Sequence, residues 1–357
     1  MPISALDSIS PAFQHTKQQL TQPFSVKQWA KLALVGLLAG ELSSGGGCNT
    51  SGLRDVMRQS GSHQFAAGPS LPNPMLFASM ILVLAVAGFV LFILLMYVSS
   101  VMRFILFDSI IAKRCEIRKG WDRRQRNGLQ YFVWQILLML AAMAGMVILV
   151  GIPAAFALAM GWWSQPKAHM LPLILGGIVL FFVLMAFVVT FLVVHVMSKD
   201  FVVPQMAMEN ISAIEGWRRL LPMLKAEKGS YAGYIGMKVV MAIAASVAVG
   251  IVVLIVVLLM LIPIGGVGAA VVLGGKAAGL AWNVYTITAA VVVGLILLAF
   301  IMYVVSLISV PVIVFFPAYS IYFFASRYAP LQALIHPAPP AIPFVPPLNP
   351  LPPEAPG

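Results

Sequence analysis

The feature of this sequence that most limits its possible folds is a series of long apolar runs that carry almost no charge. The six runs cover residues 29–45, 75–100, 129–159, 171–197, 234–263 and 284–310. About 20 apolar residues in a helix cross the ~30 Å hydrocarbon core of a bilayer, and the last five runs are longer than that. Because backbone inside lipid must satisfy its own hydrogen bonds, the runs predict an all-α integral membrane protein with about six transmembrane helices.

The composition and its distribution agree with this class of protein. Hydrophobic residues make up 61% of the chain and charged residues 9%, whereas soluble domains carry roughly 25% charged residues. Three regions are predicted: a cytoplasmic N-terminal arm with an interfacial helix (1–28), a six-span membrane domain (29–327) and a Pro-rich disordered tail (328–357). The first 28 residues lack the apolar core of a signal peptide.

The first apolar run is the weakest of the six. Its apolar core, residues 32–42, is short and contains Glu41, with Lys31 just before it. The run is therefore predicted as the first span, with a re-entrant or interfacial segment as the open alternative.

Basic residues divide unevenly between the two sides of the predicted bundle. With the N-terminus inside, 18 Lys and Arg residues lie on the inner side and 4 on the outer side. Inner loops of bacterial membrane proteins are enriched in these residues, so we expect a bacterial inner membrane location with both termini cytoplasmic. The net charge of +11 then predicts anionic lipid headgroups as partners at the cytoplasmic face, and no nucleic acid.

A short motif recurs on the cytoplasmic side. Residues 119–123 and 215–219 share a Gly-Trp-x-Arg core, and each precedes a basic stretch and a span. With the N-terminal arm as a diverged first copy, we predict three repeats of an interfacial helix followed by a transmembrane hairpin. Trp121 and Trp217 are the predicted interfacial anchors, with equivalent roles and similar contributions to stability. The best-formed interfacial helix is expected near residues 203–221, where apolar residues recur every three or four positions.

Small residues spaced four apart predict where helices approach closely. Ala242, Ser246 and Gly250 form such a ridge on the fifth span, and Ala141 with Gly145 forms another on the third. Contacts within the chain are the simpler interpretation, and a seam between copies is the alternative.

Several short motifs resemble a known group of proteins. These are Phe201-Val202-Val203-Pro204, Glu209, the Gly-Trp-Arg-Arg segment at 216–219, and Lys228-Gly229. Together they resemble the membrane region beside some bacterial glycerophosphodiester phosphodiesterases, and the uncharacterised multi-spanning proteins related to it. The resemblance implies a helical membrane domain of unknown role, and it transfers no catalytic residues because the phosphodiesterase domain is absent here.

The sequence shows no catalytic, metal-binding or cofactor-binding pattern. No histidine pair has helical metal-site spacing, and no phosphate loop or nucleophile elbow is present. Only His195 and Glu41 come near membrane depth, and both lie near predicted span ends, so no carboxylate is expected to be buried in the membrane. This absence argues against an ion-driven transporter, though not against a passive carrier of apolar molecules. Arg103 and Asp108 are expected at the membrane interface, paired with basic residues of the 113–126 loop.

The C-terminal tail holds 11 of the 25 prolines, a composition that favours extended, unpacked chain. Truncation after Pro330 is expected to leave the bundle folded.

Two functions fit these observations. The first is a non-enzymatic membrane subunit or scaffold without cofactors, and the alternative is a carrier or permease for a lipid-like or apolar solute. A packed interior would favour the scaffold, and a solvated cavity between spans would favour the carrier.

Overall fold

The fold was analysed in a computed structural model that describes residues 3–22, 24–41, 74–162, 169–277 and 284–335. All regular structure in these ranges is helical, without strands. Ten α-helices lie in the described ranges: α1 Ile9–Thr21, α2 Val26–Leu38, α3 Pro74–Ile111, α4 Ile117–Ala159, α5 Met170–Met197, α6 Val203–Glu209, α7 Ala213–Ala226, α8 Lys228–Ala277, α9 Val284–Ala325 and α10 Ala329–Ile335. A π-helical turn, Ser198–Val202, joins α5 to α6.

Five helices in the described part of the chain are long and apolar enough to cross a membrane. They are α3, α4, α5, α8 and α9, and they correspond to the last five predicted runs. The all-α membrane class is therefore confirmed, although a sixth span does not form at the first run within the described residues. There α2 has only 13 residues, about 20 Å of helix, which is less than the hydrocarbon thickness.

The short helix α2 packs against the long helices instead of crossing the membrane alone. The Trp29 indole donates to the Leu307 carbonyl at 2.9 Å, and the Ser306 hydroxyl donates to the Ala33 carbonyl at 2.6 Å. A Cβ on Gly36 would overlap the Ile313 side chain, so α2 and α9 meet at a distance that only glycine permits there. The interfacial alternative is thus the closer description of this segment.

The well-packed part of the molecule lies at one end of the bundle, which we call the base. It consists of the short helices α1, α2, α6, α7 and α10 together with the adjoining ends of the five long helices. Its core is rich in aromatic side chains, and Phe201 contacts Tyr231, Tyr234, Phe323 and Phe324 with ring centroids 5.1–6.0 Å apart. The N-terminal arm is part of this core, because Ala12 in α1 is fully buried.

Beyond the base, the long helices leave large apolar side chains exposed, as a lipid-facing surface requires. Ile262, for example, is 72% exposed. Close packing still occurs in places, since a Cβ on Gly145 of α4 would overlap the Phe187 ring of α5. The predicted ridge on α8 differs: a Cβ on Gly250 would meet no described atom within 4 Å, although Ala242 and Ser246 are half-buried.

Two predicted segments form differently in the structure. The single helix expected over 203–221 is broken at Asn210, whose φ of 55° is left-handed, so α6 and α7 are separate helices. The first residues of the tail expected to be disordered from Tyr328 are instead helical, because Ala329–Ile335 form α10 with Leu331 fully buried. The rest of the tail, like Cys48, lies outside the described residues.

Candidate functional site

Five charged side chains lie buried together where the base meets the spanning segments. They come from four separate parts of the chain: the segment after α2, the last third of α3, the π-helical turn and the first turns of α8. The residues are Glu41, Arg103, Lys199, Asp200 and Lys238. We call this set the charged cluster. Buried ions at the ends of several spans are costly, and they mark functional sites more often than ordinary packing does.

The π-helical turn explains how two adjacent charged residues are both buried. The apolar helix α5 ends at Met197, and the wider turn Ser198–Val202 directs Lys199 and Asp200 into the base. Helix α7 lies on this turn, since a Cβ on Gly216 would come within 2.8 Å of Val202. Single π-helical turns within helices are frequent at functional sites.

Two ion pairs neutralise both carboxylates of the charged cluster. Lys199 pairs with Glu41, and Lys238 pairs with Asp200. The Asp200 carboxylate, in a residue only 3% exposed, also accepts a hydrogen bond from the Tyr234 hydroxyl at 2.9 Å. Tyr234 and Lys238 are four residues apart on α8 and therefore reach the same carboxylate from one helix face.

Arg103 is the third cation of the charged cluster, and no carboxylate in the described part of the chain forms an ion pair with it. Its guanidinium donates to the Tyr131 hydroxyl at 2.7 Å and to the Ala39 carbonyl at 3.2 Å. Its Nε is buried and has no hydrogen-bond partner among the described residues. The expectation that Arg103 lies at the interface beside the 113–126 loop is therefore wrong, because the side chain points into the packed base.

A small cavity opens inside the charged cluster. It has a volume of about 30 Å³ and is lined by four of the five charged residues, Glu41, Arg103, Lys199 and Asp200, with Ser320 and apolar side chains of α3, α6 and α9. A cavity needs about 10–15 Å³ to hold one water molecule, so this cavity can hold one or two species of the size of water.

The structure also corrects the premise that no carboxylate is buried. Asp200 and Glu41 are 3% and 4% exposed, so this chain does hold buried carboxylates of the kind that ion-driven transporters use. The charge distribution along the sequence places Lys199 and Lys238 among the 18 basic residues of the inner side and gives no prediction that they are buried. A usable signal was present, because Lys238 lies between Met237 and Val239 at the start of an apolar run.

The remaining predicted polar residues are placed as follows. Asp108 does pair with a basic residue of the 113–126 segment, because its carboxylate accepts two 2.8 Å hydrogen bonds from Arg124. Arg124 also donates to the Ala207 carbonyl at 2.6 Å, and this joins α3, α4 and α6. His195 is half-buried on α5 near the charged cluster.

The two tryptophans predicted as equivalent anchors are both half-buried against the base core, but they make different contacts. The Trp217 indole donates to the Ser198 hydroxyl at 3.0 Å, and Trp134 donates to the same oxygen at 3.2 Å. Trp121 instead packs edge-on against Tyr97, with ring centroids 6.0 Å apart. Trp217 thus fastens α7 to the π-helical turn, whereas Trp121 fastens the start of α4 to α3.

Two further cavities lie at the surface of the base. One of 240 Å³ between α3 and α4 is lined by Arg114, Lys119, Arg123 and the acidic residues Asp108 and Glu116, among others. The other, of 120 Å³, lies beside His15 and α10. In the described ranges no group of three or more His, Cys, Asp or Glu side chains is placed to hold a metal ion.

Fold and site together define a helical integral membrane protein with an ionic centre buried at the base of its spans. The chain belongs to a family of unknown function, DUF7544, whose sequence model matches residues 3–334. No curated protein and no solved structure matches the chain. The resemblance to the membrane region beside glycerophosphodiester phosphodiesterases stays a prediction.

Proposed function

We propose that this protein is a non-enzymatic membrane subunit or scaffold, with its base on the cytoplasmic face of a bacterial inner membrane. The observation that carries the proposal is the contrast between the two ends of the bundle. All five spanning helices end in a packed base, whereas their spanning parts face outward with exposed apolar side chains such as Ile262. Such an arrangement holds a rigid cytoplasmic body on the bilayer.

Cavity size supports the scaffold over the carrier. Pockets that bind solutes of drug-like size usually measure about 300–1,000 Å³, whereas three cavities formed at the base by described residues measure 30, 120 and 240 Å³. The carrier remains the second candidate because the charged cluster lies at the ends of the spans, where transporters place ionisable residues.

A flux assay separates the two functions. The purified chain is reconstituted into vesicles, and the translocation of a fluorescent phospholipid and the entry of an apolar dye are compared with protein-free vesicles. We expect no increase in either rate. Protein-dependent flux that is lost in Asp200→Asn would contradict the scaffold and support the carrier.

The scaffold also predicts a partner at the base. A photo-crosslinking residue at Gln125, which is exposed on the base, should yield a discrete protein adduct in cells. The matched control is the same residue at Leu295, which is 60% exposed on the spanning part of α9. Adducts at neither position, or lipid adducts alone at both, would contradict a partner-binding base.

The orientation of the protein in the membrane needs a labelling site other than Cys115, the natural cysteine in the base of the bundle. Cys115 is buried, and burial raises the pKa of its thiol, so a thiol reagent would miss it on either side of the membrane. In a background with Cys48 and Cys115 replaced by serine, we expect a cysteine placed at Leu171, which is 71% exposed at the start of α5, to react with an impermeant maleimide in intact cells. A cysteine placed at Gln125 should react only after the cells are opened, and labelling of Gln125→Cys in intact cells would reverse the topology.

A further inference from the structure

The charged cluster holds more positive groups than negative ones. Three cations, Arg103, Lys199 and Lys238, face two carboxylates, Glu41 and Asp200, and each carboxylate is already paired with one lysine. With all five groups ionised, one positive charge is left at Arg103. An uncompensated buried charge is costly, so a counter-charge is favoured beside it.

Arg103 also has a hydrogen-bond donor that no described residue accepts. The residue is 8% exposed, and its Nε has no hydrogen-bond partner among the described residues. The tyrosine hydroxyl and the backbone carbonyl that accept from its two terminal nitrogens carry no formal charge. A buried guanidinium with a spare N–H forms its strongest hydrogen bond with an anion.

The cavity beside Arg103 limits the size of such an anion. Its volume of about 30 Å³ is enough for one or two water-sized species. A single-atom anion belongs to that size class, whereas a phosphate or a carboxylate-bearing solute is larger.

We propose that the cavity lined by Glu41, Arg103, Lys199 and Asp200 is a binding site for a halide ion such as chloride. The ion accepts the Nε–H of Arg103 and balances the extra positive charge of the charged cluster. Chloride binding then stabilises the junction of α2, α3 and the π-helical turn, because the site exists only when these three elements are assembled.

Thermal unfolding of the full chain in detergent tests the site. The midpoint is measured in sodium chloride, sodium bromide and sodium gluconate at matched ionic strength. We expect a saturable rise in chloride and bromide beyond that in gluconate. Midpoints that rise equally in all three salts would overturn the proposal.

Three variants make the test specific to the cavity. Arg103→Gln removes the spare donor and the excess charge and should abolish the halide shift. Glu41→Gln takes away one carboxylate, raises the net charge of the cluster, and should enlarge the halide shift even if the variant is less stable overall. Lys17→Gln, at an exposed position on α1, should leave the shift unchanged.

If Arg103→Gln does not fold, the direction in which Glu41→Gln changes the halide shift still tests the site. A halide shift in Glu41→Gln equal to or smaller than that of the unsubstituted chain would place the ion elsewhere. Bromide located by anomalous scattering in crystals gives the position directly: a peak beside Arg103 supports the site, and peaks only at other positions overturn it.

Discussion

Breaking the ion pair between Asp200 and Lys238 should be among the most damaging changes to this protein. Asp200→Asn leaves the Lys238 ammonium buried without this counter-charge, and Lys238→Met removes the ion pair while the Asp200 carboxylate keeps its hydrogen bond from the Tyr234 hydroxyl at 2.9 Å. Removing one partner of a buried pair typically costs about 3–5 kcal/mol. We expect Asp200→Asn to reach that range and Lys238→Met to fall at its lower end, since Tyr234 still donates.

The double variant Asp200→Asn/Lys238→Met should be less damaging than the sum of the two single changes. With both charges removed, neither partner is left ionised, and neutral replacement of a buried pair is often tolerated. The measured quantity is the free energy of unfolding in mixed micelles titrated with a denaturing detergent, followed by tryptophan fluorescence. The coupling energy of the cycle should amount to several kcal/mol.

An exposed pair on the same base provides the control. Lys119 and Glu116 form an ion pair of 3.1 Å with side chains 79% and 56% exposed, and such pairs contribute about 0–1 kcal/mol. If Asp200→Asn changes stability by less than about 1 kcal/mol, or if the two pairs give equal coupling energies, the charged cluster is solvated and the reasoning from burial fails.

Three further predictions use the same unfolding measurement. Burial lowers the pKa of His15 below its ordinary 6.5. The contribution of His15 to stability is therefore complete above about pH 6.5 and is lost as the pH falls below that value. His15→Gln should flatten this decline in stability, and an unchanged pH profile in the variant would contradict the prediction. Trp217→Phe should cost about 0.5–1.5 kcal/mol more than Trp121→Phe, because only Trp217 loses an indole hydrogen bond to a buried hydroxyl; equal losses would instead favour equivalent roles. Truncation after Ile335 should leave a monodisperse protein, whereas truncation after Arg327 removes α10 with its buried leucine and should lower stability by about 2–5 kcal/mol.

The sequence was sufficient to locate the long helices, because hydrophobicity alone decides which segments enter lipid. The predicted runs at 171–197 and 284–310 begin at or within one residue of α5 and α9. Their ends were less predictable: α9 continues to Ala325, well past the apolar run, because its last turns are buried in the base and not in lipid. Apolar composition does not distinguish these two surroundings.

Helix breaks and short helices were harder to predict, for a local reason. The periodic pattern over 203–221 is truly helical on both sides of Asn210, and one left-handed residue is enough to divide it. Asparagine adopts that conformation more readily than most residues, so the break had a sequence signal, although a weak one. For α10, the prolines after Ile335 dominated the composition and obscured the seven helical residues before them.

The charged cluster could not be predicted by counting charges, because its members are brought together only by tertiary packing. Glu41 and Lys199 are 158 residues apart in the chain, and they form a pair only when the segment after α2 meets the π-helical turn. A count of basic residues per side assigns Lys199 and Lys238 to the inner side whether they face water or a buried carboxylate. The same lysines therefore affect two properties: their number on one side sets the orientation in the membrane, and their ion pairs set the stability of the base. The two effects can be separated by experiment. Moving the charge of Lys238 by one helical turn would preserve the count and hence the topology, but it would remove the partner of Asp200 and hence the stability.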